Sequence, residues 1–198
     1  MNIYTKIATV TLLAVTALSA QAQYRGNANT TGYYGELAVA PLRTDLNDGS
    51  NTKQAYNNTS LRGIMGYQFT PNFSAEGMVG FGFGDDSKTQ VFNNVTVKNT
   101  VKVNNVMGLY VRAKTNLTPD LEVFGRAGVA RASLSDTIMT GALSSKSDTT
   151  DSSFSYGFGM NYNLSKATYI GLDFTRYNTQ KNVNATIQGM SASFGYRF

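Results

Sequence analysis

The sequence predicts an all-β protein: an eight-stranded antiparallel up-and-down transmembrane β-barrel. Three observations predict it. Beyond an N-terminal apolar segment, the chain reads as eight runs in which apolar residues alternate with polar or small ones. A strand turns successive side chains to opposite faces, so each run has one apolar face. The connections alternate between short and long, as in a barrel with turns on one side of a membrane and loops on the other. Finally, the apolar faces carry the large residues, whereas the opposite faces carry Gly, Ser and the charges. A narrow lumen suits the second set and lipid suits the first. A soluble barrel of the lipocalin kind, with its apolar face inside, is the competing reading.

The first segment stands apart from the fold. Lys6 supplies a positive charge, Ile7 to Ala20 a mostly apolar stretch, and Ala20-Gln21-Ala22 a small-residue cleavage site. This is the pattern of a secretory signal peptide over residues 1–22, leaving 23–198 as the barrel domain. The run is short and broken by Thr9, Thr11 and Thr16, which argues against a spanning anchor. There is no Cys, so neither a disulfide framework nor lipoprotein anchoring is expected.

The runs follow in order. Tyr33 to Leu42 places Tyr33, Leu37, Val39 and Pro41 on one face and Tyr34, Glu36, Ala38 and Ala40 on the other. Ser60 to Phe69 turns Leu61, Met65, Tyr67 and Phe69 outward, and Phe73 to Phe83 turns out Phe73, Val79, Phe81 and Phe83. The fourth run, Val101 to Lys114, is expected to expose Val101, Val103, Met107, Leu109 and Val111. Leu121 to Ala132 is weaker, with Leu121, Val123, Ala127 and Val129 outside. Phe154 to Leu164 is the cleanest, a stripe of six large apolar residues facing Ser, Gly and Asn. Thr168 to Arg176 has Ile170, Leu172 and Phe174 out. In Gln188 to Phe198, Met190, Ala192, Phe194, Tyr196 and Phe198 share the apolar face. Most runs have the ~9–11 residues that cross a bilayer at a tilt. The short connections are Thr70-Pro71-Asn72, Thr115 to Asp120 and Ser165-Lys166-Ala167. The long ones are Arg43 to Thr59, Gly84 to Thr100, Ser133 to Ser153 and Tyr177 to Thr186, expected as extracellular loops with few aromatics (Tyr56, Phe92).

The charges obey the alternation. All three Glu residues, Glu36, Glu76 and Glu122, fall on inward positions, as do Arg62, Arg112, Lys114, Arg126, Asp173 and Arg197. An eight-stranded lumen is just wide enough for side chains to fill, so these charges are expected to meet in an ion-pair network. Unpaired, each would cost several kcal/mol there. A structural network is one reading and a gate formed by exchange of partners the other. Arg131 and Arg176 point outward near the extracellular ends of their strands. Guanidinium pairs well with phosphate, so contact with lipid A is the expectation, with snorkelling into the loops as the alternative.

Other chemistries are absent. The chain has no His, which excludes a Ser-His-Asp hydrolase and any His metal site, and no cofactor is expected. The net charge of +5 is scattered and does not form a nucleic-acid surface. Gly80-x-Gly82-x-Gly84 lacks the helix of a nucleotide fingerprint, and Asp45 to Ser50 has its Gly misplaced for a calcium loop.

Ser193-Phe-Gly-Tyr-Arg-Phe198, Gly66-Tyr67-Gln68-Phe69-Thr70-Pro71, Gly159-Met-Asn-Tyr162 and Gly171-Leu-Asp-Phe174 together resemble the small outer-membrane barrels of Gram-negative bacteria, the OmpA/OmpX type. The resemblance spans the mature chain. It implies an outer-membrane location, contact with lipopolysaccharide, and a terminal aromatic strand (Phe194, Tyr196, Phe198) read by periplasmic chaperones and the barrel insertase. It also implies a switchable charge cluster, with Glu76 and Arg112 at two of its positions. Asn161 and Gly171 stand where OmpA has a Glu and an Arg, which favours a fixed network. No peptidoglycan-binding domain is expected after the barrel. The implied role is non-enzymatic, structural or adhesive, through loops that meet host or cell-surface ligands; a passive small-solute or ion pore is the alternative. A monomer is expected.

Overall fold

The computed structural model describes residues 31–47, 53–84, 86–92, 95–140, 143–180 and 185–198. The expected signal peptide lies outside them. The described chain forms nine strands: β1 (Gly32–Asn47), β2 (Lys53–Gln68), β3 (Phe73–Phe83), β4 (Asp86–Phe92), β5 (Val95–Asn116), β6 (Leu121–Thr140), β7 (Leu143–Asn163), β8 (Thr168–Gln180) and β9 (Ala185–Arg197). All except β4 form a ring of antiparallel neighbours. It closes where β1 meets β9 (Leu37 opposite Phe194) and where β3 meets β5 (Gly77 opposite Leu109). Closure leaves the ring no free edge.

The expected wall is present, but the strands run well beyond it. Much of the sequence expected as long loops is hairpin. Strand β4 pairs with the start of β5, from Asp86 opposite Val101 to Phe92 opposite Val95. Gly84, at a φ of 80°, makes the turn that sends the chain from β3 into it, a conformation only glycine adopts freely. Strands β6 and β7 remain paired up to Thr140 opposite Leu143. These segments are rich in Ser, Thr, Asn, Asp and Lys. Without a regular apolar face they lack the periodicity by which a strand is recognised. Tyr56, expected in a loop, lies buried on β2.

A second correction concerns β5. Val101 and Val103 were expected outside, yet both are buried. The β5–β6 register slips by one residue between Val103 and Asn105. One extra residue in a strand inverts the facing of everything beyond it. Below the bulge Met107, Leu109 and Val111 face out as expected; above it the odd residues turn inward.

Elsewhere the alternation holds. Leu109 is 68% exposed and Phe154 65%, whereas Glu76 and Arg62 are 2% and 1% exposed. That is the inverse of a water-soluble protein, where a continuous apolar exterior of this kind does not persist. The inward glycines have a specific role. Tyr34 lies over Gly66, Tyr110 over Gly108 and Tyr169 over Gly195, each ring filling the space a Cβ would need. Large side chains can therefore fill the lumen because the positions beside them are empty, on the neighbouring strand at Gly66 and Gly195 and on the same strand at Gly108.

The three short turns share one device. A hydroxyl accepts from the backbone N–H three residues on: Thr70 Oγ1 from Phe73 at 2.9 Å, Thr118 Oγ1 from Leu121 at 3.0 Å, and Ser165 Oγ from Thr168 at 3.0 Å. Such turns satisfy the backbone locally at the strand ends.

Candidate functional site

Two groups of charged residues fill the membrane-level lumen. In the first, Arg62 on β2 is enclosed by acceptors from two other strands, β1 and β8. Its Nη1 donates to Asp173 Oδ1 at 2.9 Å and to the Tyr177 hydroxyl at 3.1 Å; its Nη2 donates to Glu36 Oε1 at 3.2 Å and, closely, to Asp173 Oδ2. Ser191 and Thr175 donate to the same carboxylate at 2.7 and 2.9 Å. Tyr169 donates to Glu36 Oε2 at 3.3 Å.

The second group lies toward the periplasmic turns. Arg112 Nη2 donates to Glu122 Oε1 at 2.7 Å and Nη1 to Glu76 Oε1 at 3.3 Å, while the guanidinium stacks on Phe124 at 3.8 Å. Tyr34 donates to Glu76 at 2.6 Å. Lys114 and Asn161 donate to Glu122 at 2.8 and 3.1 Å, and Arg197 reaches the same carboxylate at 3.4 Å. Arg126 is the loosest member: its Nε lies 3.5 Å from Glu76 Oε2, and its guanidinium rests over Phe124 at 4.9 Å.

All nine charged residues expected on inward positions thus lie inside, in two clusters rather than one layer. Asn161, at a position where the resemblance expects a cluster member, joins Glu122; four tyrosines (Tyr34, Tyr110, Tyr169 and Tyr177) complete the lumen and were missed as contributors. The signal for Tyr34, Tyr110 and Tyr169 was their inward parity opposite glycines on adjacent strands. The cavity left at the periplasmic end, between Tyr34, Arg112, Glu122 and Tyr169, is about 10 Å³. That is room for about one water.

Above the charges the lumen becomes apolar. Ile64 and Met78 are buried at the level of the charges, and beyond them Leu42, Val103, Val106, Leu134 and Ile187 are buried together with Tyr56 and Tyr177. Water and ions traversing the barrel would meet an ionic plug and then a packed apolar one. Higher still, Ser135 hydrogen-bonds to the Asp148 carboxylate and holds its pKa down, while partial burial pushes that of Asp136 up.

On the exterior, Arg131 is exposed between Met107 and Ser152 on the neighbouring strands. Arg176 is half-buried, and its Nη2 donates to Thr186 Oγ1 at 3.4 Å. On the terminal strand Phe194 is exposed, and the rings of Tyr196 and Phe198 meet edge-on at 5.3 Å. Phe198 N–H donates to Tyr33 O at 2.9 Å, fastening the C-terminal end of β9 to β1. Among the described residues no group of three or more acidic, His or Cys side chains could hold a metal ion.

A closed antiparallel ring, apolar without and charged within, defines a bacterial outer-membrane barrel. The outer membrane protein beta-barrel domain family matches residues 10–198, and the chain belongs to that family. Three solved structures are similar in fold. The attachment invasion locus protein Ail of Yersinia pestis is 11% identical, covers 84% of this chain and 99% of its own, and superposes with a TM-score of 0.55. Neisserial surface protein A is 13% identical over 85% of this chain and 99% of its own, with a TM-score of 0.56. The outer membrane protein OprG from Pseudomonas aeruginosa is 12% identical over 86% and 97%, with a TM-score of 0.53. Ail has also been crystallised with the heparin analogue sucrose octasulfate. No curated protein matches by sequence.

Proposed function

We propose that this protein is a closed, non-enzymatic, monomeric scaffold of the outer membrane whose extracellular hairpins meet ligands at the cell surface. The carrying observation is the filled lumen among the described residues: ion-paired Arg62 and Arg112 below, packed Leu42, Val103 and Ile187 above, and a cavity of only about 10 Å³ beside Arg112 and Glu122. A lumen in this state offers no continuous water path. The tall hairpins of β5, β6 and β7 support the reading, because they raise polar surface beyond the apolar belt on one side of the barrel. Ail and Neisserial surface protein A, by name an attachment protein and a surface protein, are consistent with it. On this reading the terminal aromatic strand, Phe194, Tyr196 and Phe198, is the signal for chaperones and insertase, and the lumen charges are structural.

Planar-bilayer recording tests the closed state. The folded barrel should be silent, and Glu76→Gln or Arg112→Gln should leave it silent. Steady conductance that changes with either substitution would establish the pore reading instead. The surface role is tested by cell-adhesion assays with the β6–β7 hairpin shortened between Ser133 and Ser153, which should reduce binding while the barrel still folds.

A further inference from the structure

The barrel carries a second apolar zone, far from its lipid-facing belt. On β7, ten consecutive polar residues, Ser144 to Ser153, separate Leu143 from Phe154 at the top of that belt. At ~3.3 Å per residue this is about 36 Å of strand. Leu143 is 79% exposed, and Ile138 and Met139 at the paired end of β6 are 43% and 45% exposed. From Ile138 to Leu143 the sequence reads Ile-Met-Thr-Gly-Ala-Leu, without a charge. The neighbouring β4–β5 hairpin ends on the same side of the barrel, at Phe92 opposite Val95.

Register puts apolar residues on both faces of this tip. Thr140 pairs with Val97 and Leu143, so Ile138 and Leu143 share one face; Met139, paired with Lys98 and Ser144, lies on the other. A groove or flat patch on a protein would cover one face and leave the other in water, whereas a surrounding apolar medium accepts both. The charges are graded along the hairpin. Lys98 stands level with Met139, and Lys146 follows opposite Thr137; both are exposed. The carboxylates come next, Asp136 opposite Ser147 and Asp148 opposite Ser135, with Asp148 3.5 Å from Lys146. An uncharged apolar tip is therefore backed first by cations.

We propose that the β6–β7 tip inserts into an apposed bilayer, a second membrane facing the cell surface, with Ile138, Met139 and Leu143 at its headgroup–acyl boundary and Lys98 and Lys146 on anionic phospholipid headgroups. Shallow apolar side chains with Lys ammoniums level with the phosphates are how amphipathic elements hold a membrane surface. The polar stretch of β7 keeps the tip away from the barrel's own membrane. Tip-to-tip contact between two copies would set Lys98 and Lys146 against like charges. The inference rests on the proposed surface role and names the class of ligand that the hairpin meets.

The chain contains no Trp, so Leu143→Trp installs its sole indole. The full mature barrel, held in phosphatidylcholine nanodiscs, is titrated with vesicles of phosphatidylcholine and phosphatidylserine. Emission from Leu143→Trp should shift to the blue and be quenched by brominated acyl chains in the vesicles. Ser147→Trp, farther from the tip on the same strand, should show neither effect. In vesicle flotation, Ile138→Asn with Met139→Asn should lower affinity about tenfold or more, and so should Lys98→Gln with Lys146→Gln, by about tenfold. Heat-modifiable gel migration checks that each variant folds. Identical emission from the two indole variants, or flotation unaffected by the tip or lysine changes, would overturn the proposal. So would equal affinity for purely zwitterionic vesicles, or a blue shift that needs no vesicles and follows association of two copies. Loss of adhesion on shortening the β6–β7 hairpin, without any vesicle binding, would overturn this inference alone: the surface role would stand, with a protein as its partner.

Discussion

At the scale of single residues, the lumen is decided by how fully each charge is matched. Arg62 is among the largest wholly buried side chains, and Asp173 accepts from it, from Ser191 and from Thr175. Asp173→Ala leaves the guanidinium with Glu36 and Tyr177 alone. Stranding a buried charge in this way costs about 3–5 kcal/mol. Urea unfolding in lipid vesicles should show a loss of that order, and a loss below that of an exposed-site control would show that water or the remaining acceptors compensate. Inward and outward glycines should also differ. Gly195→Val drives a side chain into the Tyr169 ring and should cost ~1–3 kcal/mol. Gly63→Val meets only Leu37 and Val79 at 3.8 Å and should stay within about 0.5 kcal/mol. Equal effects at the two sites would contradict the packing described for the tyrosines.

At the scale of elements, the informative features are the turns and the bulge. Thr70, Thr118 and Ser165 each satisfy a backbone N–H at a periplasmic turn. Thr118→Ala should therefore destabilise by about 1 kcal/mol, read by the same unfolding measurement. The bulge has a larger expected effect. Inserting one residue after Asn104 while the slip between β5 and β6 persists shifts the phase once more and turns Val101 and Val103 to the outside. Hydrogen exchange should then accelerate across β4 and the first part of β5, while the membrane-level ring keeps its protection and gel shift. Unchanged exchange would mean that the facing of those valines is immaterial to the hairpin.

At the scale of the whole molecule, two solvents govern stability. The outer surface is stabilised by contact with lipid and the lumen by mutual satisfaction of ions and packed apolar groups. Val129, more than half exposed within the belt, tests the first. Val129→Arg should cost roughly 2–4 kcal/mol if the position lies near mid-bilayer and less toward the interface. The depth of the membrane can thus be read from a series of such substitutions at Val129, Ala127 and Leu121. The second is tested by the silence expected in planar bilayers. Together the two explain why a mean hydropathy of −0.23 resembles that of a soluble protein: only alternate residues of the wall meet lipid.

Alternation in the sequence determined the eight wall strands, the outward stripes, the three short turns and the inward position of every lumen charge, because strand geometry fixes facing without any knowledge of neighbours. It failed where that premise failed. Asn104 shifts the phase without an unusual residue type to announce it, so Val101 and Val103 were assigned to the wrong face. The polar hairpins of β4, β6 and β7 are wetted beyond the membrane and carry no hydrophobic rhythm. Which charges meet could not be read along the chain either. Arg62 and Asp173 are 111 residues apart and Tyr169 and Glu36 133, and only closure of the ring sets their register. Periodicity is local and belongs to the sequence; partnership across a barrel depends on shear and closure, which exist only once the chain has folded.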